Sequence, residues 1–276
     1  MRVSLVISTY NAPASLRRCL LGFLVQTHRP AQVIVADDGS TADTAAVLRS
    51  PEFASLAIEH VWQPDLGWRK SQVMNLALAH CRCDYVVVSD GDCIPRRDFV
   101  AAHVGHARPR TFLSGAMINL PPAAHAALPA AAILDNSIFT TAGLAPHLPQ
   151  AGRYGWRLAP GRWEGLLNRL TARRCVLRGS NFSAWRQDLL EVNGFDESFV
   201  YGKEDRELGL RLHNAGVASR WLKYSLVQLH LDHARGWVDL DRYREQRRRL
   251  RALRHNGVTR VEPGIDTAIR RTACVA

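Results

Sequence analysis

The tripeptide Asp90-Gly91-Asp92 sits directly after the apolar run Tyr85-Val86-Val87-Val88-Ser89. A short β-branched run of this kind reads as a buried strand, and its carboxyl end is where open α/β sheets place their ligands. Carboxylates two apart on extended backbone diverge, but a turn at Gly91 lets both face one spot. Hard oxygen donors there suit Mg²⁺ or Mn²⁺ and a phosphorylated substrate. Two other strand patterns end in polar clusters, Ser8-Thr9-Tyr10-Asn11 and Asp37-Asp38-Gly39-Ser40-Thr41. In a parallel sheet these ends line one crevice. Neither G-x-G-x-x-G nor G-x-x-x-x-G-K-[ST] follows a strand, which disfavours a dinucleotide dehydrogenase or a P-loop NTPase and leaves the phosphate work to a metal.

The elements that must position these residues alternate. Strands are expected at Val3–Ile7, Val33–Ala36, Leu56–Trp62, Tyr85–Ser89 and Phe112–Met117. Helices are expected at Ala14–Gln26, Thr41–Ser50, Trp68–His80 and from about Arg97 to His106. This β-α-β-α order predicts an α/β fold with a mostly parallel central sheet flanked by helices. From Asn119 to about Val176 the pattern breaks into a loop-rich segment with Pro121-Pro122, Pro129, Pro146, Pro149 and Pro160. Long irregular segments in compact domains are often binding loops, so this one is read as an acceptor-side insertion. Order returns with a short helix at Gln187–Val192, a helix at Glu204–Asn214, strands at Arg220–Leu222 and Leu226–Leu229, and a basic helix at Asp239–His255. The halves are read as 1–118, holding a nucleotide, and 119–276, holding acceptor and catalytic groups.

The 276 residues are 47% apolar, enough for a substantial core, and carry a net charge of +11. That field favours anionic partners such as nucleotides, nucleic acids or acidic lipid surfaces. No run of about 18 apolar residues occurs, and the strand pattern beginning at Val3 leaves no room for a signal peptide, so a cytoplasmic location is expected. The six cysteines are scattered, which argues for reduced thiols over a disulfide framework.

The ordered signatures resemble a family 2 glycosyltransferase with the GT-A fold. They are Val3-Ser4-Leu5-Val6-Ile7-Ser8-Thr9-Tyr10-Asn11, then Gln26-Thr27 with Val33 to Thr41, then Asp90-Gly91-Asp92. The run Gly179-Ser180-Asn181-Phe182, Asn193-Gly194-Phe195-Asp196-Glu197 and Gly202-Lys203-Glu204-Asp205 is similar to the carboxyl half of galactosyltransferase-type and chondroitin-polymerase-type domains. The likeness covers roughly residues 1–115 and 177–233. It implies that Ser8, Tyr10 and Asp38, with Asn11 beside them, contact the uracil and ribose of a UDP-sugar, and that Arg69 reaches the nucleotide. It implies that Asp90 and Gly91 meet the ribose or the metal, that Asp92 coordinates Mn²⁺ or Mg²⁺, and that His230 or His233 adds a metal ligand, His230 being preferred.

Glu204 and Asp205 open a helix, where the backbone dipole stabilises carboxylates. Asp205 shares a face with Leu208 and Leu212 by i, i+3, i+7 spacing. The expected activity is inverting, metal-dependent transfer from a UDP-sugar to a saccharide or lipid-linked saccharide acceptor, as in bacterial cell-surface polysaccharide or lipopolysaccharide synthesis. Asp205 would act as base, with Glu204 adjoining it. Inversion is implied by the resemblance alone. Between Arg242 and Arg254 lie seven arginines, and Leu240, Tyr243, Leu250 and Leu253 form an apolar stripe. Such a helix either lies on an anionic membrane or docks on the core with its basic face in water. A nucleic-acid-binding protein is the weaker reading, because the aromatics are not interleaved with the arginines. A non-catalytic carbohydrate-binding protein using Tyr154, Trp156 and Trp163 is the other alternative, and it would need neither Asp92 nor Asp205.

Overall fold

The computed structural model describes residues 1–158, 161, 163–171, 175–199, 202–233 and 240–273. Strands β1 (Val3–Thr9), β2 (Gln32–Asp37), β3 (Ile58–Trp62) and β4 (Tyr85–Asp90) run parallel in the order β3-β2-β1-β4. Alternate side chains leave a strand on opposite faces, and both faces are covered. Helix α1 (Pro13–Leu24) packs Leu16, Cys19, Leu20 and Phe23 against Leu5, Ile7, Val33, Val35 and Val87. Helix α2 (Ala42–Leu48) lies beside it. On the other face α3 (Lys70–His80) packs Val73, Met74, Ala77 and Leu78 against Val6, Ile34, Val86 and Val88. Double coverage is why β1, β2 and β4 read as mostly apolar runs, while the edge strand β3 does not.

After β4 come β5 (Cys93–Pro95), α4 (Phe99–His106), β6 (Thr111–Ser114) and β7 (Ala116–Leu120). The single strand expected over Phe112–Met117 is two strands in different sheets. They part at Gly115, where a Cβ would lie 2.4 Å from both Asn181 Oδ1 and the Leu226 carbonyl oxygen. The insertion carries short helices α5 (Pro122–Ala127), α6 (Ala130–Leu134), α7 (Thr141–Leu144), α8 (Gly155–Leu158) and α9 (Glu164–Leu170) among its described residues. Then follow β8 (Asn181–Trp185), α10 (Arg186–Glu191), α11 (Glu204–Asn214), β9 (Ala218–Trp221), β10 (Val227–Leu231), α12 (Leu240–Asn256) and α13 (Ile265–Ala273).

The large sheet has the order β3-β2-β1-β4-β8-β6-β9, with β8 antiparallel to both neighbours and β6 parallel to β9. The small sheet has the order β5-β10-β7. Helix α13 was not expected. Ile265 enters the core beside α3, and Asn193 accepts the Ile265 N–H through its carbonyl and the Asp266 N–H through its side chain. The strand expected from Leu56 begins at Ile58, because Pro51–Leu56 closes as a 3-10 turn ending on left-handed Ala57.

Pro160 and Asp239 lie outside the described residues, as do the side chains of Leu240 and Tyr243. Leu250 and Leu253 are half-buried, and α12 packs on α11. Arg249 of α12 sits over the Phe199 ring, 4.4 Å from its centroid, and donates to Ser198 Oγ at 2.7 Å. No helix among the described residues is long and apolar enough to cross a membrane.

Candidate active site

The carboxyl ends of β1, β2 and β4 meet in one crevice, tied by polar side chains. Ser8 Oγ donates to Asp90 Oδ1 at 2.5 Å, and the Gly91 N–H donates to the Ser8 carbonyl at 2.7 Å. A Cβ on Gly91 would stand 3.0 Å from that same carbonyl oxygen, so glycine lets the β4 end press against β1. Asn11 adopts a left-handed backbone (φ 44°), a conformation that asparagine tolerates better than most residues. Its N–H donates to Ser40 Oγ and its Oδ1 accepts from the Thr41 N–H, joining the β1 and β2 loops.

The two aspartates after β2 divide the work. Asp37 is an internal brace: Oδ1 accepts the Ser40 N–H, and Oδ2 lies 2.9 Å from His60 Nε2. Burial alone would raise its pKa, but the bonds from His60 and Ser40 bring it below the usual value. Asp38 accepts from Gln63 Nε2 at 2.6 Å and from the Arg69 N–H at 2.9 Å. There burial wins, and the carboxyl pKa is raised. Tyr10 is about half exposed, and its hydroxyl donates to Asp65 Oδ2 at 2.9 Å.

Arg69 is the residue directly before α3. Its guanidinium folds onto its own loop, donating to the Pro64 carbonyl and, at 3.3 Å, to Gln72 Oε1. The cation among the carboxylates is Lys70, the first residue of α3, with Nζ 2.7 Å from Asp90 Oδ1. Burial would lower its pKa, but the charges of Asp90, Glu204 and Asp92 outweigh that and raise it above the ordinary lysine value. The sequence reading missed Lys70. One signal was available: it is one of only three lysines, Lys70, Lys203 and Lys223, in an arginine-rich chain.

Asp92 faces a different set of partners. Its Oδ2 lies 3.4 Å from His230 Nε2 and 3.2 Å from His233 Nε2. Strand pairing explains the meeting. β10 runs antiparallel to β5 with His230 opposite Cys93, and the Leu231 N–H donates to the Asp92 carbonyl at 2.9 Å. Burial would raise the Asp92 pKa, but hydrogen bonds from both histidines and the Lys70 charge hold it well below the usual carboxylate range. Asp92, His230 and His233 place one ligand atom each within 4.8 Å of one another, forming the one such group among the described residues. Asp90 is not in it; its Oδ1 meets Ser8 and Lys70 instead. The histidines first read as alternatives therefore both reach Asp92. One carboxylate with two imidazoles fits Mn²⁺ better than Mg²⁺, which prefers oxygen donors.

The acidic start of α11 closes the opposite side. Glu204 Oε2 accepts the N–H groups of Gly202 and Lys203 at 2.8 and 2.9 Å. Burial, then the neighbouring Asp205 charge, raises the Glu204 pKa, while Lys70 opposes the shift. Asp205 is half-buried, its Oδ2 accepting the Gly179 N–H at 3.1 Å and its Oδ1 the Arg206 N–H at 2.7 Å. Below it Leu208 and Leu212 are fully buried. The fully buried pair Glu207–Arg211 pins the helix, with Arg211 donating to the carbonyls of Val192 and Gly194.

A family profile described as Glycosyl transferase family 2 matches residues 4–113, and one described as N-terminal domain of galactosyltransferase matches residues 170–255. Validoxylamine A glucosyltransferase of Streptomyces hygroscopicus subsp. limoneus is 32% identical over 233 residues, covering 78% of this chain and 48% of the relative. Chondroitin synthase of Escherichia coli is 30% identical over 233 residues, covering 79% of this chain and 33% of the relative. The chain thus spans about half or less of the length of these curated relatives. Among solved structures, TarS from S. aureus superposes with a TM-score of 0.61 at 14% identity, covering 92% of this chain and 39% of that one. Mannosyltransferase PcManGT from Pyrobaculum calidifontis, solved with GDP-Man and Mn²⁺, superposes with a TM-score of 0.58 at 18% identity, covering 100% of this chain and 76% of that one. On sequence signatures, sheet order and these likenesses together, the chain belongs to glycosyltransferase family 2 and has the GT-A fold.

Proposed function

We propose that this chain is an inverting glycosyltransferase that moves a sugar from a UDP-sugar to a saccharide or lipid-linked saccharide acceptor, in bacterial cell-surface polysaccharide or lipopolysaccharide synthesis. The observation that carries the reading is the crevice itself. The Asp92–His230–His233 group and the Glu204-Asp205 helix start flank Lys70 at the carboxyl ends of the parallel strands. Ser8, Tyr10, Asn11, Asp38, Arg69, Asp90 and Gly91 are assigned to the nucleotide side. Uridine as the base is implied by the family resemblance alone.

Asp205 takes the proton of an acceptor hydroxyl. The acceptor oxygen bonds to the anomeric carbon as the bond from that carbon to the diphosphate oxygen breaks, and the electron pair leaves with UDP. A single displacement needs no enzyme nucleophile and inverts the anomeric centre. Both Asp205 oxygens accept backbone N–H bonds, which fixes the carboxylate's direction. Lys70 presents positive charge to the leaving diphosphate. Asp92, His230 and His233 are the residues that would hold Mn²⁺, which when bound neutralises charge growing on the leaving group. The exposed arginines of α12, including Arg247, Arg248 and Arg251, add long-range attraction toward an anionic leaflet.

The test is UDP release and sugar transfer with Mn²⁺ and a panel of saccharide and glycolipid acceptors, for the parent and Asp205→Asn. The variant should keep the thermal stabilisation given by the donor and lose at least about 10²-fold in transfer, the lower range for a lost general base. Near-parental transfer would move the base to Glu204 or elsewhere.

A further inference from the structure

We infer that the α8–α9 insertion is a membrane-facing element that seats this protein on an anionic lipid surface. Eleven large apolar side chains are exposed among the described residues, and five of them, Trp156, Trp163, Leu166, Leu170 and Val176, fall between positions 156 and 176. Trp163, Leu166 and Leu170 follow i, i+3, i+7 spacing, so they form one outward stripe along α9. The inward side of the same helix is fixed. Asn168 is buried, donates to Ser225 Oγ at 2.7 Å and accepts the Tyr224 N–H at 3.0 Å. Rotating α9 to hide its leucines would break both bonds, so the stripe stays outside.

The insertion is also anchored from below. Buried Arg96, four residues after Asp92, donates to the carbonyls of Arg157, Tyr224 and Ser225. Asn168 of α9 and Arg96 thus share the 224–225 turn, which ties α9 to the end of β5, the strand that begins one residue after Asp92.

Charge selects the occupant. Among the described residues from Arg153 to Arg178 there are four arginines, Arg153, Arg157, Arg169 and Arg178, and one acid, Glu164, which itself lies 4.0 Å from Arg96. An apolar stripe with tryptophan and leucine among arginines fits a bilayer interface whose headgroups are anionic: the stripe enters the acyl boundary while guanidinium groups meet phosphates. Helix α12 is the lesser candidate, because Leu250 and Leu253 of its apolar stripe are half-buried where it packs on α11. The inference deepens the lipid-linked acceptor reading, but it rests on a surface remote in role from Asp92 and Asp205, so the two can fail separately.

The test is co-sedimentation of the full chain with phosphatidylcholine vesicles, with and without phosphatidylglycerol, at low and physiological salt. The parent should bind the anionic vesicles and much less the neutral ones. The triple variant Trp163→Ser, Leu166→Ser, Leu170→Ser should lose about tenfold or more in partition, with an unchanged melting curve and unchanged stabilisation by UDP-sugar. Arg247→Gln, Arg248→Gln, Arg251→Gln in α12 should lose less than the serine variant. The inference is overturned if the parent ignores anionic vesicles at low salt, or if the serine variant binds within about twofold of the parent. It is also overturned if light scattering shows a parental dimer that the serine variant dissolves, since a second copy would then be the occupant.

Discussion

Replacing Lys70 with methionine keeps the stem of the side chain and removes a cation that touches Asp90. The Nζ–Oδ1 distance is 2.7 Å, and the two side chains are 21% and 23% exposed. At an effective dielectric constant of about 20 a contact that close gives roughly 6 kcal/mol of Coulomb energy before desolvation. Pairs on the surface return about 0–1 kcal/mol net, and breaking a buried pair costs about 3–5. This half-buried pair lies between, so we expect a loss of about 2 kcal/mol, or roughly 4–8 °C in Tm for a domain of this size. The pH dependence separates charge from packing. A lysine whose pKa is raised in the folded state stabilises fully below its unfolded value and loses that contribution only as pH climbs through the folded one. Its partners must be ionised, and Glu204, already raised by burial, is raised further once Lys70 is gone. The deficit of Lys70→Met should therefore be full from about pH 6 to 9 and shrink as pH rises past the ordinary lysine value of about 10.4. Melting curves of metal-free, nucleotide-free protein across that range measure it. A deficit that does not shrink at the alkaline end would mean lost packing, and no deficit at pH 7 would refute the electrostatic role.

Two further outcomes follow from packing and from the metal group. Gly115→Ala should cost about 3 kcal/mol, because its Cβ meets the Leu226 backbone oxygen at 2.4 Å and the buried Asn181 amide at 2.4–2.5 Å; a denaturant melt within 1 kcal/mol of the parent, taken as about the limit for a tolerated core change, would mean that the β6–β7 junction yields easily. Because Asp92 accepts from both histidines, His230→Ala and His233→Ala should each weaken Mn²⁺-dependent UDP binding, by about 10-fold or more for a lost ligand contact; loss in only one variant would name that histidine as the sole ligand.

Much of the site was legible because its parts lie at strand ends, and strand ends follow from local pattern. Asp90-Gly91-Asp92, Asp38 and the Ser8–Asn11 run could be placed in one crevice from the β-α alternation alone. Glu204 and Asp205 were legible from the helix periodicity behind them. The remainder depended on long-range pairing. His233 joins His230 at Asp92 only because β10 pairs with β5 in a second sheet, and β5 is three residues long, too short to carry a periodic signal. Gly115 looked like one residue within a strand, since the clash that splits β6 from β7 involves Asn181 and Leu226 far along the chain. Lys70 went unread because nothing in the sequence tells that the residue after Arg69 turns toward Asp90.

The central claim is that Asp92 and its histidines make nucleotide-sugar binding depend on a divalent ion. It is tested most directly by calorimetric titration of UDP into metal-free protein, with and without Mn²⁺, for the parent and Asp92→Ala. The parent should bind UDP tightly only with Mn²⁺, with GDP and dTDP weaker, while Asp92→Ala stays folded and loses the Mn²⁺-dependent part. Equal UDP affinity with and without Mn²⁺ in the parent, or undiminished Mn²⁺-dependent binding in Asp92→Ala, would contradict it.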